Sequence, residues 1–230
     1  MTHAKRFFGA RSALVLALAA ISVVAPTPVQ AGALDGGGIK KLLGGASDNA
    51  LDKLSKPGAF YADTAVRILL PGAKGKLASK LLKTGDKLGL TSKLTKSLND
   101  AAGFAAQEAK PVFRSAVDGL SLADVPGIAL KNDGATEYLK KSADTDLRAK
   151  VRPLIVSALT KVGAFGQLEK LGSGGGGLLG LAGLNKDGLT ESVTDQTMKG
   201  IYNYMAKEEA GLRGNVLGIG KTILDGVIKK

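Results

Sequence analysis

Leu147, Val151, Leu154, Ile155, Ala158, Leu159 and Val162 recur at spacings of three and four residues. That period commits the stretch to an amphipathic helix with one buried face. Leu94, Leu98, Ala101, Ala105 and Ala109 give a second stripe across 91–110, and its alanines let a neighbouring helix come close. Met198, Ile201, Tyr202 and Met205 give a third within 190–212. Val216, Ile219, Ile223, Leu224 and Val227 give a fourth within 216–228. No run of alternating strands and no internal repeat accompanies them. The expected fold class is all-α, an irregular multi-helix bundle.

Proline and glycine punctuate the helices. Gly32 to Gly45 is glycine-rich and reads as a loose N-terminal segment of 32–46 ahead of one helical domain over 47–230. Ser47 or Asp48 is expected to cap a short helix through Leu51 and Leu54, stopped by Pro57-Gly58. Ala65 to Leu70 reads as a short extended segment ending at Pro71. Lys74 to Thr84 reads as an amphipathic helix. Pro111 opens or breaks the helix carrying Phe113 and Val117. Lys131-Asn132-Asp133-Gly134 is a turn. A short helix over 135–141 and a separate one from Asp144 follow, with Pro153 expected to kink the second. Eight glycines in Gly172–Gly188 mark a flexible loop.

The start of the chain has a separate logic. Lys5, Arg6 and Arg11 precede the uncharged apolar run Ala13–Ala25, and Val29-Gln30-Ala31 supplies small residues for cleavage before Gly32. This is the pattern of a secretory signal, and a thirteen-residue run spans only about 20 Å as a helix, too short for a bilayer. The expected location is the periplasm or the medium, with cleavage between Ala31 and Gly32. No cysteine lies near that point for a lipid anchor, and no second long apolar run follows.

Removing residues 1–31 takes away the single histidine, His3, from a chain that has no Cys or Trp. The remainder has no imidazole base, no thiolate nucleophile and none of the usual zinc or haem ligands. No metal and no cofactor is expected. Three of the 32 basic residues and none of the 20 acids fall before Gly32, so the remainder carries 29 − 20, or +9. Such a balance favours an anionic envelope surface or another envelope protein as partner. Export and only eight remaining aromatics argue against nucleic acid.

The lysines are unevenly placed. Lys74, Lys76, Lys80, Lys83, Lys87, Lys93 and Lys96 share their span with one acid, Asp86. Lys76, Lys80, Lys83 and Lys87 follow a helical face, while Leu77, Leu81 and Leu88 form another stripe that is expected to face the core. The lysines read either as a solvated face or as a contact for anionic lipid or polymer.

Other motifs dissolve on inspection. Gly220-Lys221-Thr222 lacks the glycine five residues earlier that a phosphate-binding loop requires. Asn185-Lys186-Asp187-Gly188 lacks carboxylates at both ends of a calcium loop and reads as a turn. Asp144 and Asp146 each have a base four residues on, Arg148 and Lys150, which is ordinary surface pairing. The S-x-x-D spacings at Ser97, Ser115, Ser121 and Ser192 suggest helix caps.

Several segments, taken in order, form a recognisable set. They are Val66-Arg67-Ile68-Leu69-Leu70-Pro71; Asn99 with Ala101-Ala102; Glu108-Ala109-Lys110-Pro111 with Phe113; Gly134-Ala135-Thr136 with Tyr138; Leu147 with Arg152-Pro153; and Glu208-Glu209 with Leu212-Arg213. Together they resemble the uncharacterised bacterial family catalogued as domain of unknown function 4197, from about Leu51 to Val227. The resemblance implies an exported, largely helical protein and no established activity. Gly214 stands where the family usually has a proline shortly after the arginine. Within the matched motifs, Arg67, Asn99, Glu108, Thr136, Tyr138, Arg152, Glu209 and Arg213 are the candidate polar cluster. They read either as a site or as groups that cap and bridge helices, since buried polar atoms need partners in any case.

Two classes of function remain. One is a non-catalytic binding or envelope-associated module, contacting an anionic surface through Lys76, Lys80, Lys83, Lys87, Lys93 and Lys96. The other is a glycan-acting enzyme, which needs two carboxyls from Glu108, Glu137 and Glu209 facing each other across a groove. A large apolar cavity would instead indicate a lipid carrier.

Overall fold

Among the described residues the computed structural model has seven helices: α1 (Gly36–Leu54), α2 (Ala59–Ala62), α3 (Leu90–Glu108), α4 (Lys110–Asp118), α5 (Gly134–Lys161), α6 (Ala164–Gly172) and α7 (Lys186–Ile228). The structure describes residues 36–71, 83, 86–122, 128, 130–172 and 184–228, with side chains to Gly214. The expected signal and its cleavage point, most of the 74–84 helix and most of the glycine-rich loop lie outside those residues. Among the described residues there is no strand, as an all-α fold requires.

The alanine face of α3 does what its spacing implies. Leu94, Leu98, Ala101, Ala102, Ala105 and Ala106 are buried, and α3 packs against α1, α2, α5, α6 and α7. Small side chains let so many neighbours share one helix. Pro111 sits in the first turn of α4, where its missing N–H costs no helical hydrogen bond. The apolar side chains of all seven helices join in one cluster, from Ile39 and Phe60 to Leu168 and Met205.

Four expectations are corrected. The stretch expected to be loose is helical from Gly36, and α1 buries Ile39, Leu43, Ala46, Ala50, Leu51 and Leu54. Glycine costs about 1 kcal/mol per helical position, but a continuous stripe laid against α7 and α4 outweighs that. Ser47 is therefore a buried mid-helix residue, and Asp48 pairs with Arg114 at 2.8 Å instead of capping. The two helices expected over 135–162 are one, α5, which runs through an exposed Pro153 without ending. Tertiary packing holds it together, because Leu139, Leu147, Val151, Ile155 and Leu159 lie buried along its length. The two expected C-terminal helices are also one, and α7 runs unbroken through Gly211 and Gly214. Its 43 residues make it about 65 Å long. Finally, α6 has no counterpart in the sequence reading. It buries Ala164, Leu168 and Leu171, and it follows Gly163, whose φ of 70° turns the chain out of α5.

Candidate functional site: two sealed polar joints and an exposed lysine cluster

The first joint is at the start of α5. A helix leaves its first N–H groups unpaired, and Asp133, in the capping position, makes no side-chain cap. Glu209 of α7 takes that role from 73 residues away. Its Oε1 accepts the Ala135 N–H at 2.9 Å. Its Oε2 accepts the Thr136 N–H and the Thr136 hydroxyl, each at 2.7 Å. Arg213, one turn further along α7, donates Nε at 3.0 Å and Nη2 at 2.7 Å to Oε1, and Nη2 also reaches the Ile128 carbonyl at 3.3 Å. Glu209 is 0% exposed, so its charge is compensated by the guanidinium and by the positive end of the helix dipole. Gly134 is required here, since a Cβ would sit 2.2 Å from the Ile128 carbonyl oxygen.

The second joint holds the stretch 67–70 across two helices; Ala65 and Val66, expected to be extended, lie in a turn in which the Val66 and Arg67 N–H groups reach the Asp63 carbonyl. Asn99 of α3 pairs both backbone groups of Ile68, accepting its N–H on Oδ1 at 2.8 Å and donating Nδ2 to its carbonyl at 2.8 Å. Gln196 of α7 does the same for Leu69, at 2.8 Å and 2.9 Å. Two side-chain amides thus replace the neighbouring strands that an extended backbone otherwise needs. The segment crosses α7 along one face, at positions 196, 200 and 204. At Gly200 a Cβ would lie 2.9 Å from Phe60 and 3.3 Å from Val66. Tyr204 donates its hydroxyl to Asp63 Oδ2 at 2.8 Å, while Asp63 Oδ1 accepts the Ala65 N–H at 2.9 Å. The Ala65 N–H, and then the Tyr204 hydroxyl, hold the Asp63 carboxyl below the usual carboxylate range.

Of the candidate polar residues, the fold brings Thr136, Glu209 and Arg213 together in the first joint and places Asn99 in the second. Arg67 lies beside that joint, with Nε on the Tyr61 carbonyl at 2.6 Å and its guanidinium 4.9 Å from the Tyr61 ring centre. Tyr138 donates to the Ser121 carbonyl. Arg152 lies 3.7 Å and 3.6 Å from the carboxylates of Asp187 and Glu191. Glu108 is exposed, and Glu137 is exposed and paired with Lys131 at 2.8 Å. Glu209 therefore faces neither of them across an open groove. Sequence reasoning missed Gln196, Gly200 and Tyr204. Their spacing of four and the glycine inside an apolar stripe were the available signals.

A third cluster joins α5 to α7. Arg148 donates to Asp144 at 2.6 Å and also bonds Asp195. The Tyr202 hydroxyl and Asp144 Oδ1 lie within electrostatic reach of each other but out of hydrogen-bond geometry, and neither has another partner. Burial first, and then the Asp144 carboxylate, push the Tyr202 phenol upward. The pairing expected between Asp146 and Lys150 is not formed. Both are exposed, and with Ser115, Ser121 and Ser142 they line an open depression of about 440 Å³ between α4 and α5. Of the expected caps, Ser97, Ser115 and Ser192 lie inside helices, and Ser97 and Ser192 bond Gln167 and Gln196. Asn185 is more than a turn residue: its Oδ1 accepts the Gly188 N–H at 2.7 Å at the start of α7.

The lysine cluster is described in part. Lys76 and Lys80 lie outside the described residues, as do Leu77 and Leu81. Lys83, Lys87 and Lys93 are exposed. Lys96 is exposed too but pairs with Asp100 at 2.8 Å, one helical turn away. Asp86 accepts the hydroxyl of the buried Thr91. Leu88, expected to face the core, is 68% exposed. Gly89, with φ 67°, turns the chain between Leu88 and Leu90, and Leu90 is the residue that packs on the core.

Fold and joints together define a helical protein whose motif residues serve chiefly as internal fasteners. The family model for proteins of unknown function, DUF4197, matches residues 34–228, and the chain belongs to that family. Neither a curated protein nor a solved structure matches it. Among the described residues, no group of acidic or other ligating side chains is placed to hold a metal ion, and no helix is long and apolar enough to cross a membrane.

Proposed function

We propose that this protein is an exported, non-catalytic envelope module that rests on anionic surfaces through its lysine cluster. The observation that carries the reading is the exposure of Lys83, Lys87 and Lys93 around a single acid, Asp86, which leaves the stretch net positive. Each such lysine contributes on the order of 1 kcal/mol near an anionic membrane, and salt screens it within a Debye length. Three, offset by the charge of Asp86, give about 2 kcal/mol, which concentrates a protein at a surface without anchoring it. The non-catalytic half of the reading is supported by Glu209 and Asn99, the most buried polar residues of the family motifs, whose side chains are occupied with backbone groups, Thr136 and Arg213.

The test is co-sedimentation of the protein, recovered after export from a bacterial host, with anionic and neutral vesicles across a salt series. Binding to anionic vesicles alone, weakening as salt rises and reduced by Lys83→Gln, Lys87→Gln and Lys93→Gln together, is the expected result. Equal binding to both lipids, or binding indifferent to salt, refutes it. Release of the protein with an intact N-terminal Met1 would refute the export half.

A further inference from the structure

Leu88 projects from the turn ahead of α3 with 68% of its surface in solvent. Exposed leucines are common, and a lone one needs no explanation. This one differs in its company. Lys83, Lys87 and Lys93 lie within five residues of it along the chain, all exposed. The neighbouring carboxylate, Asp86, is engaged by the Thr91 hydroxyl. The left-handed Gly89 fixes the turn, so Leu88 points away from the core that receives Leu90. By contrast Leu130, 87% exposed, sits next to a lysine neutralised by an acid, since Lys131 pairs with Glu137.

We infer that Leu88 is a membrane wedge that enters the acyl boundary of a bilayer with anionic headgroups while the surrounding lysines hold the phosphates. The inference rests on the electrostatic reading above and adds insertion to it. Lysine suits this arrangement because its alkyl stem lies along apolar surface while its ammonium stays with the headgroups. Charge complementarity selects the lipid: the turn offers one apolar side chain amid three exposed lysines and a single carboxylate, a net positive charge that matches an interface anionic outside and apolar beneath.

The chain has no tryptophan, so Leu88→Trp places a single indole at the wedge. On vesicles containing phosphatidylglycerol its emission should shift to the blue and be quenched by brominated lipid, and the shift should be absent on phosphatidylcholine alone. Leu130→Trp should stay at its aqueous wavelength on the same vesicles. Leu88→Gln should weaken binding about tenfold at fixed salt, the loss expected for an apolar side chain that reaches only the boundary. Several results would overturn the insertion. L88W that sediments with vesicles but keeps its aqueous emission leaves the electrostatic reading standing and refutes the wedge. So does an equal shift of L88W and L130W, or full affinity in L88Q. A blue shift of L88W with soluble polyglutamate and none with lipid assigns the turn to an acidic protein instead. If the unaltered protein does not sediment with anionic vesicles, both readings fall.

Discussion

Replacing Glu209 tests the claim that the most buried carboxylate of the described fold is a fastener. Five hydrogen bonds converge on it: two from backbone N–H groups, one from a hydroxyl and two from Arg213. Glu209→Ala removes all five, uncaps α5 and takes the carboxylate from a guanidinium that is only 12% exposed. Breaking a buried ion pair by deleting one partner costs about 3–5 kcal/mol, and the lost cap falls within that range. The expected loss is about 4 kcal/mol, a large share of the roughly 5–15 kcal/mol that holds a typical domain folded. At about 2–4 °C per kcal/mol for a chain of this size, Tm should fall by about 8–16 °C. Glu209→Gln keeps the shape. Its NH2 can face the Thr136 hydroxyl, which then accepts, so the main losses are the Thr136 N–H bond and the charge opposite Arg213, about 2 kcal/mol. Thr136→Val removes one hydroxyl and should cost about 1 kcal/mol. Urea denaturation followed by circular dichroism, with unchanged m-values, measures all three. A cost below about 1 kcal/mol for E209A, or E209Q as stable as the natural protein, would refute the reasoning.

Tyr202→Phe removes a buried hydroxyl that has no partner and should leave stability unchanged or raise it by about 0.5–1 kcal/mol at neutral pH. Because folding raises the Tyr202 pKa, its contribution is complete below the unfolded value near 10 and falls as pH rises past it, where only the unfolded phenol ionises. Comparing both proteins by denaturation from pH 8 to 11 should show Y202F losing less stability on the alkaline side, and parallel curves would contradict this. Gly134→Ala, facing a carbonyl oxygen, should cost about 3 kcal/mol, and Gly200→Ala, facing the rim of Phe60, about 1–2 kcal/mol; thermal melts that show no loss would argue against the close approaches. Asn99→Ala and Gln196→Ala should each speed hydrogen exchange at the amide that loses its acceptor, Ile68 and Leu69 respectively. Unaltered exchange at those amides would refute the clamp.

The apolar stripes identified the fold class because burial at a period of 3.6 leaves a direct trace in sequence. The same reading divided α5 between Lys141 and Asp144 and α7 between Leu212 and Val216, where the apolar stripes pause, and the packing that carries the helices through is not local. It dismissed the first turns of α1 for the same reason. Its polar candidates divide along a similar line. Thr136, Glu209 and Arg213 are recognisable as a family set, but that they meet depends on α7 passing the start of α5. Gln196 and Tyr204 escaped notice because nothing within ten residues of either shows that the turn and following stretch of residues 63–70 cross their face. Leu88 was misread for a plainer reason: a stripe inferred from spacing holds only while the helix does, and Leu88 lies in the turn ahead of α3.

Both joints close over long stretches of chain, and this bears on the order of assembly. Ala135 and Glu209 are 74 residues apart, Leu69 and Gln196 are 127, and Asp63 and Tyr204 are 141. All-helical chains usually fold quickly because their contacts are local. Here each helix can form early, yet the start of α5 and the backbone of Leu69 keep unmatched polar groups until α7 arrives. Loop closure over such distances has an entropic cost that local helix formation does not recover. Folding should therefore be slower than the helix content suggests, with a late step in which α7 docks. A chain interrupted before residue 196 would hold most of its helices and the Asn99 clamp on Ile68, but neither the Glu209 joint nor the Gln196 and Tyr204 half of the second.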